Sequence, residues 1–134
     1  MTLALSRTDV LDLLSRPECI HAVEHAFRLH AEGHTLGPGV LSVPASGGGF
    51  HIKAAGLVGE RSYFAAKTNA NFPSNPRRHA LPAIQGVIVL CDADDGRPLA
   101  VMDSIEVTIR RTAAATAVAA KLLARGDSTS VTVC

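Results

Sequence analysis

Two basic residues have the type and the surroundings of an anion-binding site. Lys67 stands in the segment YFAAKTNANFP between small apolar residues, and an ammonium group at a buried strand position needs an anion. Arg111 lies near the start of a long helical pattern, and a guanidinium group suits bidentate binding of a carboxylate or phosphate. Lysine also protects edge strands from pairing with other chains, so the residues alone leave both roles of Lys67 open.

The neighbouring Arg110 has a different expected role. It stands four residues after Glu106, the spacing at which an acid and a base pair on one helix face. Arg111 points about 100° away from Arg110, onto the face that carries Thr108 and Ala115. We therefore predict that Arg110 pairs with Glu106, and that Arg111 is the arginine placed for a carboxylate or a phosphate.

The segment HAVEH, from His21 to His25, matches an H-x-x-E-H zinc pattern and places both imidazoles on one helix face. His30 and His34 continue the same polar stripe, and zinc peptidases of this kind need a further acidic ligand in a much larger domain. We therefore predict a solvated helix face and no metal site. The glycines at 47–49 open no helix and precede no G-K-[ST], so they indicate a hairpin tip.

Length, charge and cysteine content narrow the class of protein. The 134 residues suffice for one domain with a core, and a net charge of +1 favours neither nucleic acid nor an anionic membrane as a partner. No segment has the roughly 18 uninterrupted apolar residues of a membrane span, and charges at positions 7, 9 and 12 argue against a signal peptide. Three widely spaced cysteines fit a reducing compartment, so we expect a cytoplasmic protein.

Helix and strand signals alternate along the first two thirds of the chain. Ser15 and Glu18 have the spacing of a capping box, and the apolar residues that follow at three- to four-residue steps predict a helix over 16–32. A shorter helix is expected over 8–14. Between 37 and 85, short apolar runs separated by glycines and prolines predict strands.

The segment IQGVIVLCDADDGRPLAVMDS predicts a hairpin of strands 87–91 and 98–102. Its first strand lacks polar alternation, which predicts burial on both faces, by helices or by a partner subunit. Asp103 and Glu106 repeat the capping-box spacing before an Ala-rich helix whose small side chains predict a position between two packed layers. The fold class is therefore α+β, with a long helix that leads into a final strand.

Three stretches, FAAKTNANFPSNP, LPAIQGVIVLCDADDGRPLAVMDS and RRTAAATAVAAKLLAR, together closely resemble the ornithine cyclodeaminase and mu-crystallin family. The resemblance runs from the first long helix to residue 134. It implies an N-terminal α+β domain that binds substrate and dimerises, and a C-terminal Rossmann domain that holds NAD or NADP. On this basis residues 1–126 form the first domain, with 104–125 as the interdomain helix, and residues 127–134 form the first strand of a Rossmann domain that this chain truncates.

The resemblance also implies roles for four residues. Lys67 matches the lysine that binds the substrate carboxylate, and Arg111 matches the arginine that grips the substrate near the nicotinamide. Thr112 matches a cofactor-contacting threonine, and Gln85 falls at a strand position that lines the cofactor side. A carboxylate held by Lys67 and Arg111 would lie beside the path of the hydride. The catalytic aspartate of the family belongs to the Rossmann domain and is therefore outside this chain.

Two positions depart from the family pattern. Ornithine cyclodeaminase has a glutamate in the strand that here reads FHIKAA, and His51 occupies its place. His51 could act as a catalytic acid or base near neutral pH, yet the change weakens the assignment to a cyclodeaminase. The segment GPGVLSVP also lacks an arginine that often adds to carboxylate binding in the family. Lys53 either compensates for that arginine or faces solvent.

Three alternative functions follow from the resemblance. The first is a cyclodeaminase that oxidises a basic amino acid to its imine with NAD(P) and then closes a ring with loss of ammonia. The second, favoured by His51, is a ketimine or pyrroline-carboxylate reductase or an amino-acid dehydrogenase. The third is a non-catalytic binding protein of the mu-crystallin kind. The expected partners are an amino acid or cyclic imine and a second copy in a homodimer, and we expect the 134 residues alone to be inactive.

Overall fold

A computed structural model describes residues 1–132, which form six strands and four helices. In chain order these are β1 (Leu3–Leu5), α1 (Arg7–Leu13), α2 (Arg16–Ala31), β2 (Thr35–Ala45), β3 (Gly48–Leu57), β4 (Tyr63–Asn71), α3 (Asn75–Arg78), β5 (Ile84–Asp92), β6 (Pro98–Asp103) and α4 (Ile105–Leu123). The strands form one sheet in the order β1-β6-β5-β4-β3-β2, antiparallel throughout except for the parallel pair of β1 and β6. The predicted α+β class is confirmed.

Local sequence accounts for the bounds of α2. Ser15 and Glu18 form the predicted capping box, in which each side chain bonds to the backbone N–H of the other. At the other end, Gly33 adopts a φ of +80°, and the N–H of His34 donates to the carbonyl of Leu29 at 2.8 Å. This arrangement is the glycine-dependent helix stop that satisfies the last carbonyls of a helix.

The start of α4 differs from the prediction. Ser104 is the N-cap, its own side chain makes no capping hydrogen bond, and the carboxylate of Asp103 accepts instead from the N–H of Ile105 at 2.8 Å. The predicted capping box of Asp103 and Glu106 is therefore wrong. Glu106 bonds instead to Arg7, whose guanidinium donates to the carboxylate at 2.7 and 2.9 Å. Glu106 is buried, and a buried carboxylate without a cation is strongly destabilising, which favours its pairing with Arg7 over a capping bond.

Arg110 links α4 to α1, as its spacing from Glu106 suggested. Its Nε lies 3.9 Å from the Glu106 carboxylate, which confirms the predicted pairing at four residues. The guanidinium also donates to the backbone carbonyls of Leu14 and Leu11, the latter at 3.3 Å. The contacts of Arg110 therefore hold α4 against α1.

The three longer helices cover one face of the sheet and leave the other open among residues 1–132. The buried hydrophobic core is small and lies between these layers: Val10, Ile88, Ala100, Ala114 and Val118. Large apolar side chains on the uncovered face are exposed: Leu41, Val43, Phe50, Val87 and Val101. Within residues 1–132 the helices cover only one face of the strand around Val87, so burial of its other face by a partner subunit stays a prediction.

Two expectations for the end of the chain have different outcomes. Within residues 1–132, α4 is packed on one side only, since Thr112, Ala113 and Thr116 are exposed, so it does not lie between two layers. The exposed residues 128–132 form no strand, and positions 133 and 134 lie outside the described residues. The strand over 127–134 and the domain boundary at 126 stay predictions. None of the helices in residues 1–132 is long and apolar enough to cross a membrane.

Candidate functional site

Three cations, Lys53, Lys67 and Arg111, lie near one another on the helix-covered side of the sheet, with Lys67 half-buried and the other two exposed. Lys53 is directly opposite Lys67 in the pairing of β3 and β4, and both side chains belong to the face that the helices cover. Nζ of Lys67 donates to Oγ1 of Thr108 at 3.4 Å. Thr108 and Arg111 are three residues apart on α4 and therefore share one side of the helix. We refer to Lys53, Lys67 and Arg111 as the cation cluster.

The cation cluster lacks a balancing acid. Within residues 1–132 none of its three members forms an ion pair. Burial lowers the pKa of Lys67, and the positive charges of Arg111 and Lys53 lower that pKa further. Like charges that face each other across two strands are destabilising. The repulsion among the three cations therefore destabilises the fold, and an anion bound between them would relieve it.

Hydrogen bonds to β4 and β5 fix the helix that carries Arg111. The fully buried Ser104 donates from Oγ to Oδ1 of Asn69 at 2.8 Å, and its N–H donates to the carbonyl of Gly86 at 3.1 Å. Asn69 is two residues beyond Lys67 on the same strand face. The first turn of α4 is therefore tied to the strand of Lys67, which sets the position of Arg111 relative to Lys67.

His51 lies at the border of the cation cluster. It is two residues before Lys53 on the same face of β3 and is paired with Asn69. Its Nδ1 is 3.1 Å from Oγ of Ser42, and the residue is exposed. A hydrogen bond that holds Nδ1 orients the ring and leaves Nε2 for a ligand. The predicted acid or base role of His51 is compatible with this place and stays a prediction.

The two residues expected to contact the cofactor lie on different sides of the sheet. Thr112 follows Arg111 on α4, and its Oγ1 donates to the carbonyl of Thr108 at 2.7 Å. Its hydroxyl oxygen can therefore only accept a hydrogen bond from a ligand. Gln85 is paired with Ala70, so it belongs to the face opposite Lys67. The structure does not bring Gln85 to the cation cluster, and its cofactor role stays a prediction.

The histidines of α2 form no metal centre with other described residues. His21 and His25 are both exposed on the helix surface. Within residues 1–132 no group of three or more histidine, cysteine, aspartate or glutamate side chains is placed to hold a metal ion.

Two polar residues of the site were not singled out from the sequence. Thr108 receives the hydrogen bond from Lys67, and Asn69 anchors the helix start. Their spacing contained a usable signal: Thr108 precedes Arg111 by three positions of a helix, and Asn69 follows Lys67 by two positions of a strand. Which strand face meets which helix face depends on the tertiary packing.

Comparison with known proteins finds a family match over the chain and related enzymes. Residues 1–134 match the ornithine cyclodeaminase/mu-crystallin family. An alanine dehydrogenase of Archaeoglobus fulgidus is 38% identical over 127 residues, which are 95% of this chain and 38% of that protein.

Two solved structures share the fold. One is an archaeal alanine dehydrogenase dimer with bound NAD, with a TM-score of 0.88 and 38% identity over 95% of this chain and 38% of that one. The other is the Thermococcus litoralis Delta(1)-pyrroline-2-carboxylate reductase in complex with NADH and L-proline, with a TM-score of 0.83 and 35% identity over 95% of this chain and 39% of that one. The chain thus spans about two fifths of the length of these relatives.

Proposed function

The chain belongs to the ornithine cyclodeaminase/mu-crystallin family, and we propose that it is the substrate-binding part of a longer NAD(P)-dependent enzyme that interconverts an amino acid and its imine. The observation that carries the proposal is the cation cluster, which has no acid partner within residues 1–132. Alanine and pyrroline-2-carboxylate, the compounds in the names of the two relatives, both carry a carboxylate next to the reacting carbon. The cation cluster suits that carboxylate.

The residues of this chain would hold and orient the substrate. Lys67 and Arg111 approach one carboxylate from the sheet and from α4, and two charge-assisted contacts from different elements fix its plane. The reacting carbon is then held at a fixed place beside α4, which lowers the entropic part of the barrier. Oxidation takes a hydride from that carbon and a proton from the nitrogen to form the C=N bond, and we propose His51 as the proton acceptor.

The residues of this chain fit only one end of a dinucleotide. Bound NAD(P) would accept the hydride, or donate it in the reverse direction. Thr112 offers a hydroxyl oxygen that can accept a hydrogen bond from a carboxamide beside Arg111. The sequence contains no G-x-G-x-x-G turn to receive the pyrophosphate. We propose that residues beyond this chain supply that turn, and that 127–134 lead into it.

Turnover is the direct test of this function. We expect the full-length protein to form NADH or NADPH from an L-amino acid, or to consume it with the corresponding imine, as measured by the absorbance of the reduced cofactor. An active full-length protein would exclude the mu-crystallin-like alternative. Binding of substrate and cofactor without any turnover across amino acids and cyclic imines would instead establish that alternative. Ammonia release coupled to ring closure would identify a cyclodeaminase.

The lowered pKa of Lys67 predicts a pH dependence. The carboxylate contact needs the ammonium form of Lys67, and burial and nearby positive charge make that form lose its proton at a lower pH than an ordinary lysine. We expect kcat/KM to fall on the alkaline side at a pH below the usual lysine range of about 10.4. Lys67→Arg, which stays charged, is expected to move this decline to higher pH. An alkaline decline at the same pH in both proteins would assign it to another group.

We also propose that the uncovered face of the sheet forms a homodimer interface. Leu41, Phe50 and Val101 are exposed on that face, and contiguous exposed apolar surface marks association sites. The archaeal alanine dehydrogenase structure is a dimer, which supports the proposal.

Sedimentation velocity of variants tests the interface. We expect Leu41→Asp to shift the protein from dimer to monomer, because a buried unpaired carboxylate opposes association. The matched control is Leu13→Asp, which places the same charge on an exposed position of α1 and should leave the dimer intact. Equal sedimentation of the two variants would exclude this face.

A cytoplasmic location is part of the same proposal, and the free thiols of Cys19 and Cys91 suit it.

A further inference from the structure

A mostly apolar cleft of about 370 Å³ opens beside the cation cluster. Its walls come from α2, from the hairpin of β2 and β3, and from α4. Its lining includes Phe27, Ala55, Leu57 and Arg111. Arg111 belongs both to this cleft and to the cation cluster, so the two adjoin at this residue.

The strand register gives a second connection. Ala55 is two residues beyond Lys53 on β3, and alternate residues of a strand share one face. The cleft therefore continues along the same face of the sheet from the two lysines. A carboxylate held by Lys67 and Arg111 leaves the rest of a small ligand next to Ala55, which lines the cleft.

The charges around the cleft discriminate between possible side chains. Its lining residues include a cation, Arg111, and no acid. Glu24 lines the adjoining groove on α2, but its carboxylate already accepts from Lys121 at 3.0 Å and from Arg28 at 2.9 Å. A second ammonium group in the cleft would lose water, meet a like charge and gain no acidic partner from the described lining residues, so its binding there is disfavoured.

We propose that this cleft binds the side chain of the substrate and selects amino acids, or their imines, with an apolar side chain over those with a second ammonium group. The inference rests on the proposed function and names its substrate class. It points away from a basic amino acid such as ornithine or lysine. An apolar side chain gains free energy in the cleft by removing its own surface and that of Phe27 and Leu57 from water.

A pair of isosteric substrates tests the inference in the full-length protein. L-Norleucine and L-ornithine have side chains of the same length that differ in a terminal methyl or ammonium group. We expect kcat/KM to be at least about 100-fold higher for L-norleucine, with L-alanine also accepted. Equal or higher kcat/KM for L-ornithine would overturn the inference and leave the proposed function intact. Absence of turnover for every amino acid and cyclic imine would instead remove the proposed function.

A charge placed in the cleft supplies an independent measurement. Ala55→Asp adds a carboxylate to the lining of the cleft and is expected to shift the ratio of kcat/KM toward L-ornithine by about tenfold or more. Ala55→Asn has the same shape without the charge and should leave the ratio as in the parent protein. An unchanged ratio in a folded Ala55→Asp protein would show that the side chain binds elsewhere. If neither variant folds, the comparison of the two substrates in the parent protein decides.

Discussion

Replacing Lys67 with methionine is expected to lower kcat/KM of the full-length enzyme about 100-fold and to leave its thermal stability unchanged or slightly higher. A hydrogen bond between two charged groups contributes about 1.5–3 kcal/mol, or roughly 10- to 150-fold in kcat/KM. Methionine keeps the length and apolar stem of lysine. It also removes the repulsion among Lys67, Lys53 and Arg111, and the burial of an ammonium group, both of which lower the pKa of Lys67.

Arg111→Met is expected to have a similar effect on activity, and Arg111→Lys only partly to restore it, because a lysine cannot bind a carboxylate in a bidentate manner. The matched control is Lys121→Met, on the same helix. Lys121 pairs with Glu24 at the surface, where an ion pair contributes about 0–1 kcal/mol, so its kinetics should stay at the parent level.

The kinetic constants and the unfolding temperature together separate a binding role of these residues from a structural one. Parent-level kcat and KM in both Lys67→Met and Arg111→Met would remove the carboxylate role of the cation cluster. A fall of several degrees in the unfolding temperature of Lys67→Met, together with lost activity, would instead show that Lys67 supports the fold. If the cluster serves binding, Lys67→Met should lose activity while its unfolding temperature stays the same or rises, because functional sites are often kept at a cost in stability.

Replacing Gly86 with alanine is expected to produce the largest loss of stability, about 3 kcal/mol or roughly 10 °C in unfolding temperature. A Cβ at this position would lie under 3.0 Å from the carbonyl oxygen of Thr68 and from Oδ1 and Cα of Asn69. Two of these contacts are with the backbone of β4, which cannot move away without breaking the ladder. The third is with the amide that accepts the hydrogen bond from Ser104.

Gly59 supplies the control for this substitution. It lies in the loop between β3 and β4, has no atoms of other residues within 4 Å of an added Cβ, and does not have the left-handed φ that disfavours alanine. Gly59→Ala should change the free energy of unfolding by less than about 0.5 kcal/mol. Equal unfolding temperatures of the two variants, measured by calorimetry on the full-length protein, would contradict the account of Gly86. Reduced activity in Gly86→Ala is expected as well, because displacing Asn69 releases the start of α4.

The sequence by itself determined the elements whose signals are local. The capping box of Ser15 and Glu18, the stop at Gly33 and the turn between β5 and β6 all depend on residues a few positions apart, and the structure contains each of them. The pairing of Arg110 with Glu106 is of the same kind, at one helical turn. Lys67 and Arg111 could also be selected from the sequence, Lys67 because it follows two alanines in a strand pattern and Arg111 because it lies near the start of the long Ala-rich helix.

Contacts between distant parts of the chain were decided only by the tertiary structure. Glu106 binds Arg7, 99 residues away, in place of the cap that its spacing suggested. The register of β3 and β4 places Lys53 opposite Lys67, yet Lys53 is itself exposed, so its substrate-binding role stays a prediction. In a sheet a shift of one residue moves every side chain to the other face, so no local pattern fixes such a contact. For the same reason only the pairing of β4 and β5 showed that Gln85 lies on the face away from Lys67.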